Sequence, residues 1–191
     1  MNRDLARWIV GFSLVLLGVV ALGYVACRDT TPELPMVGED EVVAVEEGEG
    51  WQVTLYLPGG SRLNPVAAEV PVEPPGPSGV SREAGRALVA TLLETRVEGS
   101  LPAVPGEVSA ETFDLTREGV AYVGLGGAPP ALGTRGELLS VYSLVNTVAM
   151  NVTGVKSVVL LWNGQQRETF AGQIDTTRSL RPRENLVKAE S

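Results

Sequence analysis

Residues 158–162 read Val-Val-Leu-Leu-Trp, with no polar position among them. A strand with one face in water alternates apolar and polar residues, because successive side chains point to opposite sides. A run without alternation implies burial on both faces and a central place in a sheet. The chain must therefore cover two faces of this strand, expected over Val155–Trp162, and pair both its edges. Asn163-Gly164 follows at once. Both residues tolerate left-handed φ, so the pair marks a turn, with Arg167–Phe170 as the returning segment. The loop could also run on through Gln165-Gln166.

Cover comes from two helical patterns. In SREAGRALVATLLETR (81–96), Ala84, Ala87, Leu88, Thr91 and Leu92 fall at helical spacing. Ser81 is a candidate N-cap, since its hydroxyl can accept an orphan backbone N–H, and Gly99 lies just beyond the end. The second helix opens at Thr134-Arg135-Gly136-Glu137. That spacing fits a capping box, with Thr134 bonding forward and Glu137 bonding back. Leu138, Val141, Tyr142, Val145, Val148 and Ala149 continue as one apolar stripe, closed by Gly154.

The remaining segments read as strands. Trp51, Val53, Leu55 and Leu57 alternate with Gln52, Thr54 and Tyr56, and Pro58-Gly59-Gly60 ends the pattern. Val66–Val72 suggests a short second strand, with Pro71 placing it at an edge. Pro74-Pro75-Gly76-Pro77 reads as a loop. Val108–Thr116 and Val120–Leu125 form a hairpin through Arg117-Glu118-Gly119. The order β-β-α-β-β-α-β-β predicts a single two-layer α/β sandwich over residues 50–180, a mixed sheet with both helices on one face.

Upstream, residues 8–27 (WIVGFSLVLLGVVALGYVAC) carry no charge. That is about twenty residues, the length a helix needs to cross roughly 30 Å of hydrocarbon. Arg3 and Arg7 precede it, and Asp29, Glu33, Glu39, Asp40 and Glu41 follow. The bias predicts a cytoplasmic tail (1–7), an uncleaved transmembrane signal anchor (8–27) and everything after it outside. Two alternatives stay open, a lipoprotein signal ending at Cys27 and ordinary cleavage near Ala21-Leu22-Gly23; both also deliver the domain outside. Residues 28–49 are an acidic linker, extended by like-charge repulsion. Residues 181–191, with Arg181, Arg183 and Lys188, read as a basic, loosely packed tail.

Composition removes several chemistries. The net charge is −8 over 191 residues, which opposes the phosphate neutralisation that drives nucleic-acid binding. The chain has no histidine, so it has no Ser-His-Asp or Cys-His catalysis and no His-ligated zinc. Its one cysteine, Cys27, allows no internal disulfide or thiolate cluster. No metal or cofactor is expected. Gly124–Gly127 is followed by Ala128-Pro129-Pro130 rather than by a helix, so it reads as a flexible loop and not a phosphate cradle. Glu111, Asp114, Glu118, Glu168 and Asp175 lack the spacing of a glycosidase pair. Ser140 and Ser143 have no base partner. Asn151-Val152-Thr153 matches a glycosylation acceptor, meaningful only in a eukaryotic secretory route.

Several blocks together resemble the GerMN domain, a family named for sporulation and germination proteins. They are VTLYLPGG (53–60), ALVATLLE (87–94), LPAVPG (101–106), FDLTREGVAYVGL (113–125) and the stretch from Gly136 to Asp175. In that last block Glu137-Leu138-Leu139, Leu144–Thr147, Gly154–Val158 and Asn163-Gly164 fall where the family places similar residues. The resemblance implies a membrane-anchored, extracytoplasmic, non-enzymatic module of the cell envelope that interacts with an envelope protein or with peptidoglycan. It further implies kinship to the ring-building folds of secretion-like machines. Family members often carry histidine at the position of Gln173; a hydrogen-bonding role could survive there, because Gln also offers donor and acceptor. Asn163, Arg167, Gln173 and Asp175 are the candidate interaction surface. A carboxylate-dependent cell-wall hydrolase and a small-ligand-binding lipoprotein are the alternatives.

Overall fold

The alternation at Trp51 becomes strand β1 (Trp51–Gly59), whose Trp51, Val53, Leu55 and Leu57 are buried. The computed structural model describes residues 50–76 and 79–189; the expected anchor at 8–27 and linker at 28–49 lie outside them. Among the described residues no helix is long and apolar enough to cross a membrane. β1 turns at Gly60 (φ 61°) into β2 (Arg62–Val70), antiparallel in the register Trp51↔Val70 to Gly59↔Arg62. β2 thus starts four residues earlier than the pattern at Val66 suggests. Hairpin pairing carries Arg62 and Asn64 into the ladder although neither residue favours a strand.

Helix α1 (Arg82–Glu94) starts as expected, with the Ala84 N–H donating to Ser81 Oγ at 3.0 Å. Ala84, Leu88, Val89, Leu92 and Leu93 are buried, and the helix lies chiefly against β3 (Val108–Leu115). The approach is close at Gly85, where a Cβ would sit 2.2 Å from the Phe113 ring. β3 and β4 (Val120–Gly127) pair antiparallel through the expected hairpin, with Gly119 at φ 88°. A register shift between Ala110 and Thr112 leaves Glu111 as a bulge residue. Gly126 and Gly127 pair with Ser109 and Val108, so they extend β4 and do not form a flexible loop.

Helix α2 (Thr134–Asn151) then crosses over to β5 (Ser157–Trp162), which pairs parallel with β4. Buried Val158, Val159, Leu160 and Trp162 agree with the central place expected for this run. The returning strand β6 is only Gln165–Gln166, so the hairpin has two loop residues and Arg167–Phe170 leaves the ladder. Leu180 covers the other end of the same β5 edge by pairing with Val158, 2.8 and 2.7 Å.

The strands form two sheets, β1-β2 and β3-β4-β5-β6, rather than one. The reason lies in α2. Asn151 Nδ2 donates to the Thr54 carbonyl (2.7 Å), and the Thr54 N–H donates to Asn151 Oδ1 (2.8 Å). The Tyr56 N–H donates to Thr147 Oγ1 (3.1 Å). The edge of β1 that could have continued the sheet is occupied by helix side chains. The same engagement makes Asn151 a structural amide, unavailable as a glycosylation acceptor while the fold is closed. Both helices contact the four-stranded sheet, α1 at β3 and α2 at β5, and α2 lies chiefly against β1.

Replacing Asn151 by Leu keeps the side chain's bulk and leaves the Thr54 N–H and C=O without their partners. The expected loss is about 2–4 kcal/mol, read as a lower midpoint in urea denaturation.

Candidate functional site

The segment from Asn163 to Arg178 gathers the residues singled out by the sequence. It begins at the turn, where Asn163 (φ 48°) and Gly164 (φ 75°) both adopt the left-handed conformation. The exposed Asn163 side chain hydrogen-bonds to the main chain of Gly127. Its Oδ1 accepts from the Gly127 N–H (3.2 Å), and its Nδ2 donates to the Gly127 carbonyl (3.1 Å). The Asn163 N–H donates to the Leu125 carbonyl (2.8 Å). This residue therefore ties the turn to the end of β4.

Beyond β6 the chain doubles back on itself. Gln166 Nε2 donates to the Thr176 carbonyl (2.7 Å), and the hydroxyl of buried Thr176 donates to the Arg167 carbonyl (2.9 Å). The Thr176 N–H donates to Glu168 (2.9 Å), and the Phe170 N–H to Ile174 (3.1 Å). The buried Phe170 ring packs 5.2 Å from Trp162, centroid to centroid. Loop 171–175 is then left with main-chain donors pointing toward the core.

Glu137 satisfies them. Its side chain is fully buried. Oε1 accepts from Ala171 (2.7 Å) and Ile174 (2.9 Å), and Oε2 from Gln173 (2.8 Å). The expected capping box is absent. Gly133 is the N-cap and offers no side chain, while Thr134 is the first residue of the helix. The carboxylate finds better partners in tertiary structure than at its own helix terminus, because amide donors that converge on a charged oxygen form hydrogen bonds about twice as strong as neutral ones. Thr134 turns to the loop as well, its hydroxyl donating to Gln173 Oε1 (3.3 Å).

The four candidate residues thus have different places. Gln173 is exposed on the loop that Glu137 holds. Asp175 is exposed on the same loop, its Oδ1 accepting from the Thr177 hydroxyl (2.6 Å) and N–H (2.8 Å). Those two bonds hold its carboxyl below the ordinary 3.8. Arg167 opens the loop with its carbonyl engaged and its side chain exposed. Asn163 lies at the turn. Sequence reasoning missed Glu137 as the residue that shapes the loop. A carboxylate heading an apolar helix, with Ala171-Gly172-Gln173 further along, was the available signal, and the capping-box spacing concealed it.

The other carboxylates are scattered over separate elements. Asp114 on β3 pairs with Arg82 of α1. Glu118 sits in the β3–β4 hairpin, where its own backbone N–H and the Thr116 hydroxyl lower its pKa. Among the described residues no group of three or more Cys, Asp or Glu is placed to hold a metal ion. Ser140 and Ser143 are buried in α2.

The arrangement is a mixed α/β domain with two helices, two sheets and a loop anchored on a buried carboxylate. This chain belongs to the Germane family of sporulation and spore germination domains, whose match spans residues 54–168. No curated protein matches the sequence. Among solved structures, the tandem GerMN domains of the sporulation protein GerM from Bacillus subtilis superpose with TM-score 0.53 at 16% identity, over 70% of this chain and 46% of that one. The first GerMN domain of the same protein superposes with TM-score 0.50 at 16% identity, over 68% of this chain and 96% of that one. A candidate lipoprotein from Clostridium perfringens gives TM-score 0.48 at 16% identity, over 69% and 87%. At this identity the GerM structures establish the shared fold.

Glu137→Gln replaces one acceptor oxygen by an amide donor facing backbone donors. It should cost about 1–3 kcal/mol and speed amide exchange at Ala171, Gln173 and Ile174 more than at Leu160. For Asp175 the folded pKa lies below the unfolded one. Its contribution is therefore present above the unfolded pKa and lost as pH falls through the folded value. An NMR titration should put the Asp175 carboxyl midpoint below 3.8, and Thr177→Val should raise it.

Proposed function

We propose that this protein is a membrane-anchored, extracytoplasmic interaction module of the bacterial cell envelope, tied to sporulation, germination or cell-wall processes, and that it is not an enzyme. Membership of the Germane family supports the setting. The uncharged stretch at 8–27, with acidic residues after it, supports the anchor and its orientation.

The observation that carries the reading is the loop itself. Its main chain is held by Glu137, and Asp175 and Gln173 hydrogen-bond to Thr177 and Thr134. A loop fixed in this way presents a constant shape, and binding to it loses little conformational entropy. Its exposed polar groups suit recognition of a protein or peptidoglycan partner by hydrogen bonds.

A photo-crosslinking residue placed at Arg167 or Gln173 in the full chain tests the proposal in intact envelopes. Adducts with a discrete envelope protein or with wall fragments are expected, and the same label at Arg117 should give far fewer. Equal labelling from both places would remove the loop as the contact surface. Release of soluble muropeptides by the purified full chain would overturn the non-enzymatic reading.

A further inference from the structure

Residues 180–188 cross three elements in turn. Leu180 exchanges both backbone bonds with Val158 on the edge of β5. Three residues on, the Arg183 N–H donates to Asn146 Oδ1 (2.9 Å), and Asn146 Nδ2 donates to the Arg183 carbonyl (3.0 Å). The Arg183 guanidinium lies 4.8 Å from the centroid of the Tyr142 ring on the same helix. After a short 3-10 turn (Glu184–Leu186), Val187 runs parallel beside Leu63 of β2, whose carbonyl accepts from the Lys188 N–H (2.8 Å). This segment, expected to be a loosely packed tail beyond residue 180, is a strap.

The strap is held mainly through its main chain. Arg181, Arg183, Glu184, Asn185 and Lys188 are exposed, and Leu180, Leu186 and Val187 are only half-buried. Segments with little apolar burial open locally at a fraction of the cost of global unfolding. The surface beneath differs from the strap. Tyr142 is 4% exposed and Asn146, Leu63 and Val158 are fully buried. With the strap lifted, the Asn146 amide, the Leu63 carbonyl and the Val158 edge form a row of hydrogen-bonding stations for an extended chain, with an aromatic face beside the middle one. The strap also lies beyond residue 168, where the family match ends.

We infer that this row is a docking track for an extended, arginine-bearing segment, that residues 180–188 occupy it within the chain, and that the occupant it accepts from outside is the same segment of a second copy. The fit is established by the structure, since the contacts read main chain plus one cation over Tyr142. An occupant tethered in the same chain acts at an effective concentration on the order of millimolar, so exchange between copies requires crowding or a weakened strap. This inference rests on residues other than those of the 163–178 loop and stands or falls separately.

The test uses the full chain and a fluorescein-labelled synthetic peptide of residues 178–189. Arg183→Ala in the chain weakens the tethered occupant and leaves the track intact. It should bind the peptide at least about threefold tighter than the unaltered chain does. A peptide carrying the same substitution should bind correspondingly more weakly. In the unaltered chain, hydrogen exchange at the Leu180, Arg183 and Lys188 amides should run at least about tenfold faster than at Leu160 and Val145. Leu160 protection in the variant verifies its folding, and the exchange measurement on the unaltered chain stands if the variant fails. Strap amides that exchange at the core rate would overturn the inference. So would the absence of saturable binding to either chain, or equal binding of the two peptides.

Discussion

The structure depends on a helix that hydrogen-bonds as a neighbouring strand would. α2 is buried continuously from Leu139 to Val148, yet it carries Glu137, Ser140, Ser143, Asn146 and Thr147 at 2% exposure or less. Polar groups in such a place each cost about 1–3 kcal/mol if left unpaired. Most of these act on main chain that would otherwise be stranded. Thr147, with half-buried Asn151, serves β1; Asn146 serves Arg183; Glu137 serves the 171–174 loop. The helix thereby joins the two-stranded sheet, the C-terminal strap and the loop without any of them pairing with one another through a continuous ladder.

That division explains why the domain can hold an irregular surface rigidly. Loop 171–175 has no strand partner of its own, and a loop without one commonly moves. Here a buried carboxylate gathers its donors, the Trp162–Phe170 pair anchors its base, and Asn163 locks the preceding turn to Gly127. The side chains expected to recognise a partner are themselves partly employed in shaping the loop. Their geometry follows from the main chain, and they extend it outward.

The elements legible in advance were those governed by local or periodic rules. The unalternating run Val158–Trp162 required a central strand, and β4 on one edge with β6 and Leu180 on the other supply its neighbours. Ser81 capped α1, and Asn163-Gly164 made the two-residue turn, because those outcomes depend on few atoms close in sequence. Thr134 and Glu137 were read by the same kind of rule and misassigned. A capping box offers Glu137 one backbone donor, whereas the folded chain brings three from residues more than thirty positions away.

The amino-acid sequence alone thus determined the number and order of the principal strands and helices, the excluded chemistries and the family. Hydrophobic periodicity, turn residues and the absence of histidine are properties of the chain before it folds. Only the tertiary structure decided that the strands divide into two sheets, that Gly126 and Gly127 continue β4, that the C-terminal segment is a strap, and that Glu137 sets the loop. Each of these rests on which distant donor meets which acceptor in a desolvated interior, and no local pattern encodes that choice. A buried hydrogen bond is worth most where its groups have no alternative, and the alternatives exist only once the other elements are in place.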